Sequence, residues 1–230
     1  MEGFTVIIPA KDEAELLPAT LEGVLARRHV AAVIVVDDGS QDATAELARA
    51  GGATVVGRER SNGKAGALMA GADHALRNGL RGDLGVVLLD ADVGPSIDGI
   101  DPLLEAVAQG RADLAIAKYV ARGAGGGRGR VVRLARGAIR DRSGWEPDVP
   151  LSGIRAMTWP AWEAVTPLAR GWGVETAMTI DALTAGLRVI EVETTMTHRA
   201  TGTDLRAKVH RARQLIDVRL ALRSRPVNPS

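Results

Sequence analysis

Short runs of consecutive apolar residues alternate along the chain with longer segments in which apolar positions recur every three or four residues. The runs FTVII (4–8), AAVIVV (31–36), ATVV (53–56), LGVVLL (84–89) and DLAIA (113–117) are rich in Val and Ile and lack polar alternation. Strands of that kind are buried on both faces, as in parallel sheets sandwiched by helices. The Ala-, Leu-, Glu- and Arg-rich segments between them have helical spacing. The pattern predicts an α/β fold with a mostly parallel, Rossmann-like sheet. Ligands of such sheets sit beyond the carboxyl ends of the strands. PAKDE, DDGSQD and DADVG each follow a run at that position.

The second half is less regular. Residues 121–144 are rich in Gly and Arg, which suits either a mobile loop leading into a solvated helix or an anion-binding flap. VPLSGIRAMTWPAWEAV and RGWGVETAMTIDALTAG read as loop-plus-helix units, and LRVIEVETTMTHR as another strand. From Thr203 to Arg225, Leu205, Val209, Ala212, Ile216 and Leu220 recur at helical spacing among many arginines. That segment predicts a basic amphipathic helix, docked on the domain by its apolar stripe or resting on an anionic bilayer. No internal repeat or interdomain linker is present. The expected organisation is one domain over 1–230, with a ligand-binding half (1–118), an acceptor-side half (119–202) and a terminal helix and tail (203–230).

Composition narrows the class. A chain of 230 residues with 46% hydrophobic content suits one sizeable core. Lys and Arg number 29 against 28 Asp and Glu, so bulk charge gives no reason to expect nucleic acid as a partner. The absence of cysteine excludes disulfides and thiolate metal sites. The segment MEGFTVIIPAKDE lacks the features of a signal peptide, and no stretch approaches the roughly 18 apolar residues needed to span a bilayer. A cytoplasmic location is expected, with peripheral contact at the inner face of the membrane if a lipid is involved.

The strand ends carry the candidate chemistry. In VVLLDADVGPS, Asp90 and Asp92 follow four apolar residues. Carboxylates there either cap the following turn or hold a hard divalent cation such as Mg2+ or Mn2+, which binds one or two carboxylates plus substrate phosphates. In VVDDGSQDAT, Asp38 either caps the next helix, a role also open to Ser40, Asp42 or Thr44, or accepts hydrogen bonds from a ribose or base. In RERSNGKAGALMAG, Gly63, Lys64 and Gly66 open an Ala-rich helix and could hold a phosphate, although the spacing is not that of a P-loop. Glu175 either starts a helix and pairs with Arg170, or acts as a general base.

Taken together, VIIPAKDE, VVDDGSQDAT, NGKAGAL and LLDADVGPS resemble, in order and spacing, the family 2 glycosyltransferases of the GT-A fold. Within that group the chain is similar to dolichyl- and polyprenyl-phosphate sugar synthases and to glucosyl-3-phosphoglycerate synthases. The resemblance implies that Pro9, Ala10, Glu13, Asp38, Lys64, Asp90 and Ala91 bind a nucleotide sugar. It further implies that Asp90 and Asp92 form a DxD-type metal motif, with Asp92 also part of the catalytic machinery. LSGIRAM places Gly153 on the acceptor side. GWGVETAMTID and the following His-Arg pair imply Glu175 facing sugar or acceptor, His198 as a further metal ligand, and Arg199 and Arg211 near the acceptor.

The implied function is transfer of a hexose from a nucleoside-diphosphate sugar to an acceptor such as a polyprenyl phosphate or a small phosphorylated acid, with Mg2+ or Mn2+. Family 2 implies inversion, whereas likeness to glucosyl-3-phosphoglycerate synthase leaves retention open. Metal and Lys64 would stabilise the departing diphosphate. Arg128, Arg130 and Arg133, with Arg199 and Arg211, are candidates for holding an anionic acceptor. A sugar-phosphate nucleotidylyltransferase would want a Gly-rich basic loop after the first strand, where this chain has IPAKDEAELLP. A nucleotide-sugar-binding protein without turnover is the remaining alternative.

Overall fold

A computed structural model describes residues 1–58, 61, 63–119, 129–197, 216–223 and 225, with Trp172 described by its backbone alone. Seven strands form one sheet: β1 (Phe4–Ala10), β2 (Val30–Asp37), β3 (Thr54–Gly57), β4 (Gly85–Leu88), β5 (Leu114–Lys118), β6 (Arg155–Met157) and β7 (Val189–Glu193). Their order is β3-β2-β1-β4-β6-β5-β7. β1 pairs in parallel with β2 and β4, β2 with β3, and β5 with β7; β6 alone is antiparallel, to both β4 and β5. Both halves of the chain therefore share one continuous sheet.

All six strands read from hydrophobic runs are present. β6 was not expected, because RAM lies in a segment that reads as loop plus helix. Three residues are too few to show a period, and the strand contains an arginine. Only its neighbours on both sides make it a strand: Arg155 stands opposite Leu88 of β4 and Ile116 of β5.

The apolar runs have no alternation because both sheet faces are covered. Phe4, Val6 and Ile8 of β1 face a core shared with Leu17, Leu21 and Val24 of α1 (Leu17–Leu25) and Leu103 and Leu104 of α4 (Asp101–Ala108). Ile7, Ile34 and Val36 face the opposite layer, built from α3 (Gly63–Arg77), α6 (Trp159–Val165) and α7 (Val174–Thr184). The Ala-rich composition of α3 has a steric reason. A side chain at Gly71 would come within 2.5 Å of Ile7 Cγ2, so small residues let the helix lie close on the sheet.

Two further helices among the described residues are α2 (Thr44–Ala50) and α5 (Arg130–Ser143), ahead of the terminal one. α5 docks through Val131, Ala135, Ala138 and Ile139 and exposes Arg130, Arg133 and Arg140. The loop from Gly144 to Gly153 is strapped across the sheet edge. Glu191 of β7 accepts the backbone N–H groups of Asp148 and Val149 at 2.8 and 2.7 Å, and Arg136 donates to the carbonyls of Pro147 and Asp148. Residues 216–223 are helical; there Val218 and Ala221 are buried, whereas Ile216 and Leu220 of the stripe read from sequence are exposed, and Leu205, Val209 and Ala212 lie outside the described residues. Among the described residues no helix is long and apolar enough to cross a membrane.

Candidate active site

The carboxyl ends of β1 and β2 are laced together by short polar side chains. Asp37, the last residue of β2, accepts the Ser40 N–H at 3.0 Å and the Ser40 hydroxyl at 2.5 Å, which closes a turn through Gly39 at φ +84°. Asp12, itself left-handed at φ +55°, donates its N–H to Ser40 Oγ at 3.0 Å and accepts the Gln41 N–H at 2.7 Å. The Glu13 N–H donates to Thr44 Oγ1 at 2.8 Å. The Asp38 N–H donates to the Ala10 carbonyl at 3.0 Å, so Pro9, Ala10, Glu13 and Asp38 lie together at the carboxyl ends of β1 and β2.

Asp38 does not cap α2. Asp42 supports that helix start by accepting the N–H of Thr44 at 3.0 Å, and the Thr44 hydroxyl holds the Asp42 carboxyl below the usual range. Asp38 instead pairs with Arg58 at 3.2 Å and accepts the Ser61 hydroxyl at 2.5 Å.

A second cluster lies beyond β4. Lys64, in the first turn of α3, directs its ammonium to Asp90 Oδ1 at 2.7 Å and Glu175 Oε1 at 3.2 Å. Burial by itself pushes the Lys64 pKa down, but the charges of Asp90 and Glu175 outweigh it and hold the pKa above the ordinary lysine value. Asp90 therefore serves Lys64 and does not cap the turn that follows. Glu175, in the first turn of α7, is 7% exposed and pairs with Lys64 in place of Arg170. The backbone of Gly153 passes directly beneath. A Cβ there would overlap the ammonium and come within 2.9 Å of Asp90 Oδ2.

Two residues at this cluster escaped the sequence reading. Arg155 is fully buried; Nε donates to the Ser152 carbonyl and Nη1 to Thr179 Oγ1, both at 2.9 Å. Thr179 in turn donates to the Glu175 carbonyl at 2.9 Å. Burial pushes the Arg155 pKa down to about 10, an effect that the negative charge of Glu175 limits. Tyr119, which follows β5, is pushed up to about 12 by burial and the charge of Asp90, against a hydrogen bond with the Ser152 side chain. It is the chain's single tyrosine, and its place after an apolar run was the available signal.

Asp92 lies two residues beyond Asp90, where the backbone turns into a 3-10 segment (Ala91–Ile100). Asp92 forms none of the ion pairs or hydrogen bonds found among the described residues. No group of three His, Cys, Asp or Glu suited to a metal occurs among them either. His198, Arg199, Arg211 and Arg128 lie outside the described residues. Arg130 and Arg133 stand on the outer face of α5.

This geometry coincides with a family relationship. The glycosyl transferase family 2 model matches residues 5–159, from β1 into α6. The chain belongs to glycosyl transferase family 2. It is a glycosyltransferase, and its sheet with helices on both faces is the GT-A fold. A solved glucosyl-3-phosphoglycerate synthase of Mycobacterium tuberculosis, in complex with Mn2+, uridine diphosphate and phosphoglyceric acid, is 26% identical. It superposes with a TM-score of 0.75 over 100% of this chain and 80% of its own. Glycosyltransferase AglJ of Haloferax volcanii is 27% identical over 99% of this chain and 74% of its own length. The undecaprenyl-phosphate 4-deoxy-4-formamido-L-arabinose transferase of Aeromonas hydrophila is 38% identical over 46% of this chain. That match spans 34% of the Aeromonas protein's length.

Within this family 2 fold the two clusters differ in chemistry. The β1–β2 ends present short polar side chains and the Asp38 carboxylate. The β4 cluster offers a cation locked between two anions, suited to recognising a charged group that must be placed accurately.

Proposed function

We propose that this family 2 glycosyltransferase moves a hexose from a nucleoside-diphosphate sugar to an anionic acceptor, with Mg2+ or Mn2+. The observation that carries the reading is the Lys64 ammonium bridging Asp90 and Glu175 over the Gly153 backbone, at the end of β4 where the chain continues into the 3-10 segment that holds Asp92. A carboxylate left over where its neighbours are paired has the oxygen donors that a hard cation takes. Asp92 fits the metal, and His198 is the candidate to join it. A divalent cation held there would neutralise charge developing on the leaving diphosphate.

The chain's own residues supply the rest. Asp38 accepts hydrogen bonds from base or ribose, with Pro9, Ala10, Glu13 and Ala91 shaping the pocket. An ammonium has three N–H donors, and Lys64 directs two of them to carboxylates, so the third can reach a diphosphate oxygen. Glu175 is the proposed acceptor of a proton from an acceptor hydroxyl. If the acceptor is an already ionised phosphate, no proton need be removed, and Glu175 acts by holding Lys64. Arg130 and Arg133, with Arg128, Arg199 and Arg211, are the proposed contacts to the acceptor's negative charge. A phosphorylated acid or a polyprenyl phosphate has that charge; with the latter, the chain would work at the inner face of a membrane.

The test is a thermal-shift series of UDP, GDP and ADP, each with and without Mn2+ or Mg2+. A ligand that binds the native state alone raises its stability. A metal-dependent shift for one nucleotide, followed by release of that nucleoside diphosphate from its sugar, is the expected result. No shift with any of them, or release of pyrophosphate, would overturn the reading.

A further inference from the structure

Arg225 follows the terminal helix and turns back on the domain. Nε and Nη2 donate to the two carboxylate oxygens of Asp181 at 2.6 and 2.5 Å, and Nη1 to the Ala221 carbonyl at 2.9 Å. Its own carbonyl accepts Nε–H of Arg142 at 2.5 Å. Asp181 lies on α7 and Arg142 in the last turn of α5, so one residue ties three helices. The Arg225 and Asp181 side chains are 16% and 23% exposed. A fork-to-carboxylate pair of that geometry is stronger and more directional than a solvated surface pair.

A second set of contacts meets α7 at its start. A side chain at Gly171 would overlap the Asp217 carboxylate, and one at Gly173 would come within 2.5 Å of Ala221 Cβ and 2.9 Å of the Asp217 carbonyl oxygen. The terminal helix therefore lies directly on the 3-10 turn Gly171–Gly173, which feeds Val174 and Glu175 into α7. The glycines in GWGVE have a packing reason: they admit this helix. The terminal helix and Arg225 thus meet the chain both ahead of Glu175, at Gly171–Gly173, and beyond it, at Asp181.

We propose that Arg225 is a positioning residue for the active site: locked onto Asp181, it holds the terminal helix over the Gly171–Gly173 turn and thereby fixes Glu175 against Lys64. The functional half of this statement rests on the role given to Glu175 above; the mechanical half does not. Nothing in the reaction requires Arg225 to touch substrate.

Hydrogen exchange read by mass spectrometry tests the mechanical half on the full chain, with Arg225→Ala, Asp181→Ala, the double variant and Arg225→Lys. Amides of 171–178 are expected to exchange about tenfold faster in Arg225→Ala, as when a charge-assisted pair that limits local opening is lost. Strands β1 and β4 keep their protection. Asp181→Ala matches it, the double variant is no faster than either single, and Arg225→Lys falls between, since lysine lacks the fork. Unchanged exchange at 171–178, additive effects, or acceleration spread equally over β1 and β4 overturns the proposal.

The functional half is read with UDP-glucose, Mn2+ and 3-phosphoglycerate as probes. Arg225→Ala lowers kcat by more than it raises the donor KM, because the β1–β2 end is untouched while the Lys64–Glu175 pair is loosened, and Arg225→Lys restores part of it. A donor KM that rises with kcat unchanged overturns it. A latch seen by exchange in an enzyme that does not turn over these probes would exclude UDP-glucose with 3-phosphoglycerate as its substrates and leave the latch standing.

Discussion

Replacing Lys64 with methionine removes the cation that Asp90 and Glu175 share and keeps most of the side-chain volume. The side chains of Lys64, Asp90 and Glu175 are 27%, 28% and 10% exposed, with contacts of 2.7 and 3.2 Å. Solvated pairs are worth about 0–1 kcal/mol and breaking a buried pair costs about 3–5 kcal/mol, so this partly buried trio should lose about 2–3 kcal/mol. The pH dependence has a definite sign. The raised Lys64 pKa means that its stabilisation is complete below the unfolded value of about 10.4, and is lost only as pH rises through the higher folded value. In the wild type this contribution is therefore flat across neutral pH. In Lys64→Met the two carboxylates lose the ammonium they share, which makes it harder to keep both of them ionised in the fold. A carboxylate harder to ionise in the fold favours folding at low pH and ceases to as pH rises, so the deficit should be larger at pH 8 than at pH 4.5. Urea unfolding of both proteins at the two pH values measures it. A deficit below about 1 kcal/mol at pH 8, the value of a solvated pair, or one independent of pH would refute the trio's structural weight.

Asp92→Asn should abolish the metal-dependent part of the nucleotide thermal shift and leave unfolding free energy within about 0.5 kcal/mol of wild type, as for a side chain outside the packed core. A retained Mn2+ response would move the metal elsewhere. Gly153→Ala places a methyl where the Lys64 ammonium lies, so kcat/KM should fall about tenfold to a hundredfold, the scale of a 1 Å misplacement, measured against a smaller change in melting temperature. Asp113 accepts the Arg188 backbone N–H at 2.8 Å and its guanidinium at 2.8 and 3.0 Å, bonds that hold its carboxyl below the usual range. Asp113→Asn should cost about 1 kcal/mol at pH 7, given that Arg188 is largely exposed. A lowered folded pKa stabilises above the unfolded value of about 3.9 and ceases to as pH falls, so the gap should close in acid; a gap constant down to pH 2.5 refutes the pairing.

What the sequence determined by itself was direction and layering. Continuous Val- and Ile-rich runs separated by helical spacing require strands covered on both faces, and parallel strands place all their carboxyl ends on one side. That is why Asp38 and Asp90 could be assigned to one rim before any contact was known; Lys64 joined them only through the family resemblance that four motifs in order carried. Their partners were not legible. The Lys64–Glu175 pair, the Arg155–Thr179 bond beneath it and the Arg225–Asp181 latch join residues far apart in the chain, and periodicity carries no information across such distances. β6 was invisible for the same reason: three residues and an arginine become a strand only between β4 and β5. The glycines of GWGVE and LSGIRAM show the division most clearly. Sequence marks that something must pass close by, but only the packed structure decides what: Asp217 and Ala221 of the terminal helix in the first case, and the ammonium of Lys64 in the second.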